Sequence, residues 1–130
     1  MSAKVASMVE EILSGLEHRD KTEEIEALIP RVGWEVLRDY LMTILEDPAR
    51  SVEDWAIIAA VFWGAVLDKV SLNADRLIAL LYVRLPPDEG SSESNLAWSV
   101  ASVLKGRSYL SRYDPLEDPA VKRERETIRV

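Results

Sequence analysis

Apolar residues recur along most of this chain at intervals of three and four, the spacing that places them on one face of an α-helix. Val5, Met8, Val9, Ile12 and Leu16 make one such stripe and predict a first helix from Ala3 to Glu17, with Ser2 as its cap. Thr22 is placed to cap the short segment "EEIEALI", whose Ile25, Leu28 and Ile29 turn inward, and Pro30 ends or restarts the helix. From Arg31 to Leu45, Trp34, Leu37, Leu41, Ile44 and Leu45 face one way. Glu35, Arg38, Asp39, Met42 and Glu46 line the opposite side, which predicts a surface helix with a charged outer face.

The run from Trp55 to Leu67 contains no charge and lies between Asp54 and Asp68. It is shorter than the roughly 20 apolar residues a membrane helix needs, so it reads as the central helix of a core. Trp55, Ile58, Ala59, Phe62 and Val66 form its large face. Ala56, Ala60 and Gly64 form a row of small residues that lets a neighbouring helix approach closely. Ser51, followed three residues later by Asp54, resembles a capping box at its start.

Beyond Lys69, Asn73 is placed as a helix cap, with Leu72 and Leu77 as its hydrophobic staple, and Leu77, Ile78, Leu81 and Leu85 as the core face of the next helix. Within it "LLYVRL" has some strand propensity, so residues 77–85 are the one place where a strand competes. Pro86 and Pro87 stop this element, and "DEGSSES" reads as a polar surface connection. Leu96, Ala97, Val100, Ala101 and Leu104 carry helical spacing up to Gly106, and "RSYLSRY" adds a turn or a short helix. No stretch alternates with period two for long. The expected class is all-α: five to six helices in residues 1–113, as stacked antiparallel pairs or a compact orthogonal bundle. The charge-rich stretch 114–130, with its two Asp-Pro steps, is expected as a tail, partly helical from Ala120.

A chain of 130 residues buries enough surface to fold without a disulfide or a metal, and there is no cysteine to form a disulfide, a thiolate nucleophile or a thiolate metal site. "MSAKVASMVEE" lacks the basic end and unbroken apolar stretch of an export signal, so a cytoplasmic location is expected.

Candidate chemistry is sparse. His18 is the only histidine, at the end of the first helix, with no second histidine for a metal site or relay. No Glu-x-x-His pair occurs, the five glycines are isolated with no Gly-Lys-Ser/Thr among them, and the acids of "DEGSSES" lack EF-hand spacing. The serines there have no histidine to activate them. A small-molecule site lined by Trp34, Trp55, Trp63 and Trp98 has no acid, base or nucleophile in a recognisable arrangement beside it. The sequence therefore predicts a non-enzyme without catalytic residues, cofactor or metal.

The piece "EDPARSVEDWAIIAAVFWGAVLDK" resembles HEAT-type repeats, in which Asp-Pro begins a turn and an Ala-rich helix with a closing Gly packs on its partner helix. Asp47, Pro48, Ala59, Ala60 and Gly64 carry the likeness, and Arg50 is the candidate for the arginine that follows the proline. The other helices do not repeat the Asp-Pro start clearly. The resemblance implies stacked helix pairs. In type and charge the chain also resembles small acidic all-helical bacterial immunity proteins, which neutralise a toxin by binding it.

Charge directs the functional expectation. Residues 1–70 hold 7 basic and 14 acidic side chains and residues 71–130 hold 9 of each, so the net charge of −7 lies in the first half. Such a surface repels nucleic acid and steers basic proteins toward it. The expected partner is a basic protein, a toxin or effector, held by Glu35, Asp39, Met42, Glu46, Asp47, Glu53 and Asp54, with no nucleic acid or membrane involved. The alternative is an adaptor or scaffold, including a homodimer whose tryptophans serve an apolar interface.

Overall fold

The computed structural model describes residues 3–15, 20–66, 73–85, 92–105 and 114–130, and every regular element among them is helical. In chain order these are α1 (Ala3–Leu13), α2 (Lys21–Glu26), α3 (Ile29–Val32), α4 (Trp34–Glu46), α5 (Val52–Val66), α6 (Ala74–Arg84), α7 (Ser92–Leu104) and α8 (Pro119–Arg125), with a 3₁₀ turn at Pro115–Glu117. Residues 77–85 are therefore helix and not strand. Ser2, Leu16, His18 and "RSYLSRY" lie outside the described residues.

Caps explain most of the boundaries. Ser51 Oγ accepts from the Asp54 amide at 3.1 Å and Asn73 Oδ1 from the Arg76 amide at 3.1 Å, so both expected caps open their helices. α2 differs from expectation: Asp20, not Thr22, caps it, accepting from the Glu23 amide at 3.1 Å. The Lys21 ammonium then reaches back to Leu13 O at 3.0 Å and ties the end of α1 to the start of α2. The expected helix from Arg31 to Leu45 is broken at Gly33, whose φ of 90° ends α3 and starts α4 in a region that side-chain-bearing residues rarely adopt. α7 begins at Ser92, inside the stretch expected to be a loop.

α1 packs on α2 and α4, α2 on α5, α4 on α5 and α6, α5 on α6 and α7, and α6 on α7 and α8. The large face of α5 is buried at Ile58, Ala59 and Phe62, and Trp34 meets Phe62 edge-on with ring centroids 5.6 Å apart. Its small-residue row receives α2: a Cβ on Gly64 would stand 2.8 Å from Glu26 Oε1. The most enclosed helix is nevertheless α6, where Leu77 through Tyr82 are all buried and Arg84 is only 4% exposed.

The C-terminal stretch is not a solvated tail. Asp114 and Asp118 each accept from the amide two residues on, at 3.0 Å, while Pro115 and Pro119 occupy first-turn positions, so each Asp-Pro step is a cap followed by a proline suited to helix entry. α8 lies on α6, and Val121 and Ile128 are buried in the common core. Charge density alone concealed these two apolar anchors.

Candidate protein-binding surface

The outer side of α4 and the turn into α5 hold the acids expected to grip a cation, and the fold supplies most of them with partners of their own. Glu46 is held in a two-pronged pair by Arg76, Nε to Oε2 at 3.0 Å and an Nη to Oε1 at 2.6 Å. Asp47 accepts from the Ala49 amide at 2.9 Å, and Asp54 lies 3.6 Å from Arg50. Asp39 is bridged by its neighbour Arg38 at 2.9 Å, and Glu53, with three quarters of its side chain exposed, lies 3.8 Å from Lys21. Met42 is partly buried against the core, away from a role as a free anchor. Glu35 is exposed and meets no cation among the described residues. The expected acidic face is thus largely compensated within the chain, partly by nearby arginines, Arg38 and Arg50, and partly by Arg76 and Lys21, which packing brings from other helices.

Arg50 shows how. Its two terminal nitrogens reach Glu10 of α1 at 2.7 and 2.6 Å, and the Tyr40 hydroxyl donates to the same carboxylate. The hydrogen bonds from Arg50 hold the Glu10 carboxyl below its ordinary range, and Glu10 in turn raises Arg50. Burial and the carboxylate raise Tyr40. At the other end Arg76 adds Glu124 of α8 at 3.3 Å, and Lys105, the residue after α7, pairs with Asp75 of α6 and with Asp118 at 3.4 Å. These ion pairs join elements distant in sequence, α4 to α6, α6 to α8 and the α4–α5 turn to α1, and a partner would have to break them to reach these groups.

Among the described residues, acids without a cation beside them lie on α2 at Glu23 and Glu26. Glu26 lies half-buried over Gly64 with no cation beside it among the described residues. Burial raises its pKa first, and repulsion from Asp20 and Glu23 raises it further. Lys21, the one cation in the segment, is turned toward Leu13 O and Glu53. The sequence contained this signal in "DKTEEIE", where four acids accompany one lysine, but the longer stripe on α4 outweighed it.

Among the described residues no group of His, Cys, Asp and Glu comes together to hold a metal ion, and no helix is long and apolar enough to cross a membrane. No protein-family model, curated protein or solved structure matches the chain.

Proposed function

We propose that this chain is a non-enzymatic protein-binding module that captures a cationic protein partner on the acidic surface formed by α2 and the start of α5. The observation that carries the reading is Glu26: a carboxylate held against the protein among other acids, with a raised pKa and no cation beside it among the described residues, is a place where an incoming lysine or arginine relieves repulsion and completes a pair. Glu23 and Glu53 extend the surface on either side, and Glu35 and Asp39 remain as exposed acids on α4.

The arrangement best supported by the helix neighbours is a short stack of antiparallel pairs, α1/α2, α4/α5 and α6/α7, closed by α8. Contacts α1–α4, α4–α6 and α6–α8 follow one layer, and α2–α5 and α5–α7 follow the other, as expected of a HEAT-like stack. Stacks of this kind serve as binding surfaces for other proteins, which agrees with an adaptor or with an inhibitor working in the cytoplasm. Neutralisation of a basic toxin, as by an immunity protein, is the narrower form of the same proposal. A homodimer through exposed tryptophans has less support, since Trp34, Trp55 and Trp63 pack against the core.

The test uses a fluorescein-labelled amphipathic Lys/Leu peptide in stopped-flow mixing with the full chain. Steered capture predicts an association rate that falls on the order of tenfold or more from low to high salt. The combined variant Glu23→Gln, Glu26→Gln, Glu53→Gln is expected to lose most of that salt dependence. Unchanged rates in this variant sink the proposal.

A further inference from the structure

A groove of about 290 Å³ runs between α1 and the α3–α4 corner, lined by Lys4, Val5, Met8, Arg31, Val32 and Val36. Its composition is the reverse of the α2 surface: four aliphatic or thioether side chains, two cations and no carboxylate, in a chain whose net charge is −7. The break at Gly33 makes this corner, because a continuous helix would carry Arg31 and Val36 on one straight cylinder instead of on two elements meeting α1. Val36 is 37% exposed, and the Arg31 guanidinium is exposed with no partner among the described residues.

We propose that this groove docks a peptide segment of a partner protein in which aliphatic side chains lie beside carboxylates. The space holds about two aliphatic side chains, judged against a cavity of about 150 Å³ that accommodates one benzene ring. Those anchors rest on Val5, Met8, Val32 and Val36. Carboxylates on the same segment reach Arg31, whose fixed fork of donors suits a two-pronged pair. The site opens to solvent on one side, which admits a chain lying across it and gives little enclosure for a small ligand. Charge complementarity selects the occupant: a basic segment meets the Arg31 guanidinium here, and an uncharged one leaves Arg31 without a carboxylate. The surface is separate from the α2 acids, so the two proposals stand or fall independently.

The test measures anisotropy of a fluorescein-labelled Glu/Leu amphipathic peptide titrated with the full chain, beside the Lys/Leu peptide of the same pattern. The Glu/Leu peptide is expected to bind saturably, with affinity weakened about tenfold or more by Arg31→Glu or by Val36→Asp. Both positions are exposed, so far-ultraviolet circular dichroism should remain that of the parent chain. Amide shifts on binding should concentrate at residues 4–8 and 31–36. The Lys/Leu peptide should be indifferent to Val36→Asp, and the Glu/Leu peptide indifferent to Glu26→Gln. Absence of saturation, or equal affinity before and after Arg31→Glu, overturns the proposal. So does a change in the sedimentation of the protein alone on Arg31→Glu, which would place a second copy in the groove.

Discussion

The guanidinium of Arg84 stacks over the ring of Trp55, 5.1 Å from its centroid, and the two side chains together close the C-terminal end of α4. Trp55 Nε1 donates to Ile44 O at 3.2 Å, and Arg84 donates to Leu45 O at 2.7 Å and to Glu46 O at 3.1 Å. The last carbonyls of a helix have no partners within it, and here α5 and α6 supply them. A cation beside a helix C-terminus also meets the negative end of its dipole. Burial lowers the pKa of Arg84, but an arginine has ample range to remain charged. One buried arginine therefore joins α4, α5 and α6 at a single point.

Replacing Arg84 with Met keeps the apolar stem and removes the donors, which leaves Leu45 O without its buried partner. Urea denaturation is expected to show a loss of about 2–4 kcal/mol, from charged hydrogen bonds and a desolvated cation–π contact. Trp55→Phe retains a ring under the guanidinium and loses one bond, for about 1 kcal/mol. A loss for Arg84→Met no larger than for Trp55→Phe would show that the C-terminal carbonyls of α4 do not depend on it.

Glu10 and Glu26 are expected to respond to acid in opposite senses. The Arg50 pair holds Glu10 below the ordinary value of 4.5, so its stabilisation is complete above that pH and is lost as the pH falls through the lower folded value. Glu26 is held above 4.5, so its charge opposes folding at neutral pH, and that opposition fades as the pH falls through the raised value. Glu10→Gln should lower the denaturation midpoint at pH 7 and Glu26→Gln should raise it. Both differences should shrink toward acid pH, and two variants moving in the same direction at pH 7 would contradict the assigned environments.

Two glycines serve different purposes and should separate on substitution. Nothing lies within 4 Å of a Cβ added at Gly33, so Gly33→Ala suffers only from its φ of 90°, a cost of about 1–2 kcal/mol. At Gly64 the obstacle is the tip of the flexible Glu26 side chain, which can swing aside. Gly64→Ala should be neutral or stabilising by up to about 1 kcal/mol through helix propensity. Gly64→Leu should push α2 from α5 and cost about 1–3 kcal/mol. Thermal melts of the three variants decide between these outcomes, and a destabilising Gly64→Ala would mean that the carboxylate cannot move.

Val121 tests whether α8 belongs to the core. It is fully buried, and Val121→Ala is expected to cost about 1–3 kcal/mol while preserving a single unfolding transition. A solvated tail would tolerate the change without effect on the midpoint.

The periodicities of α1, α4, α5 and α6 were legible because a helix that buries one face must repeat its apolar residues every three or four positions. Asn73 and Ser51 were legible as caps because their bonds close within three residues. The break at Gly33 was harder to read, since apolar spacing continues across it and only φ reveals the corner. Val121 and Ile128 were masked by the surrounding charges, although helical spacing at the two positions would have suggested them.

The candidate surface was less legible. Glu35, Asp39, Glu46, Asp47, Glu53 and Asp54 look equivalent along the chain, yet Glu46 is taken by an arginine 30 residues away, while Glu35 faces solvent. Arg50 finds Glu10 at a separation of 40 residues. Local pattern determined that this chain is helical, where several helices begin, and that its negative charge is concentrated in the first half. Tertiary structure decided the pairs between distant residues, Glu46 with Arg76 and Glu10 with Arg50, because these depend on distances across helices that packing sets, and a one-dimensional pattern carries no such distances.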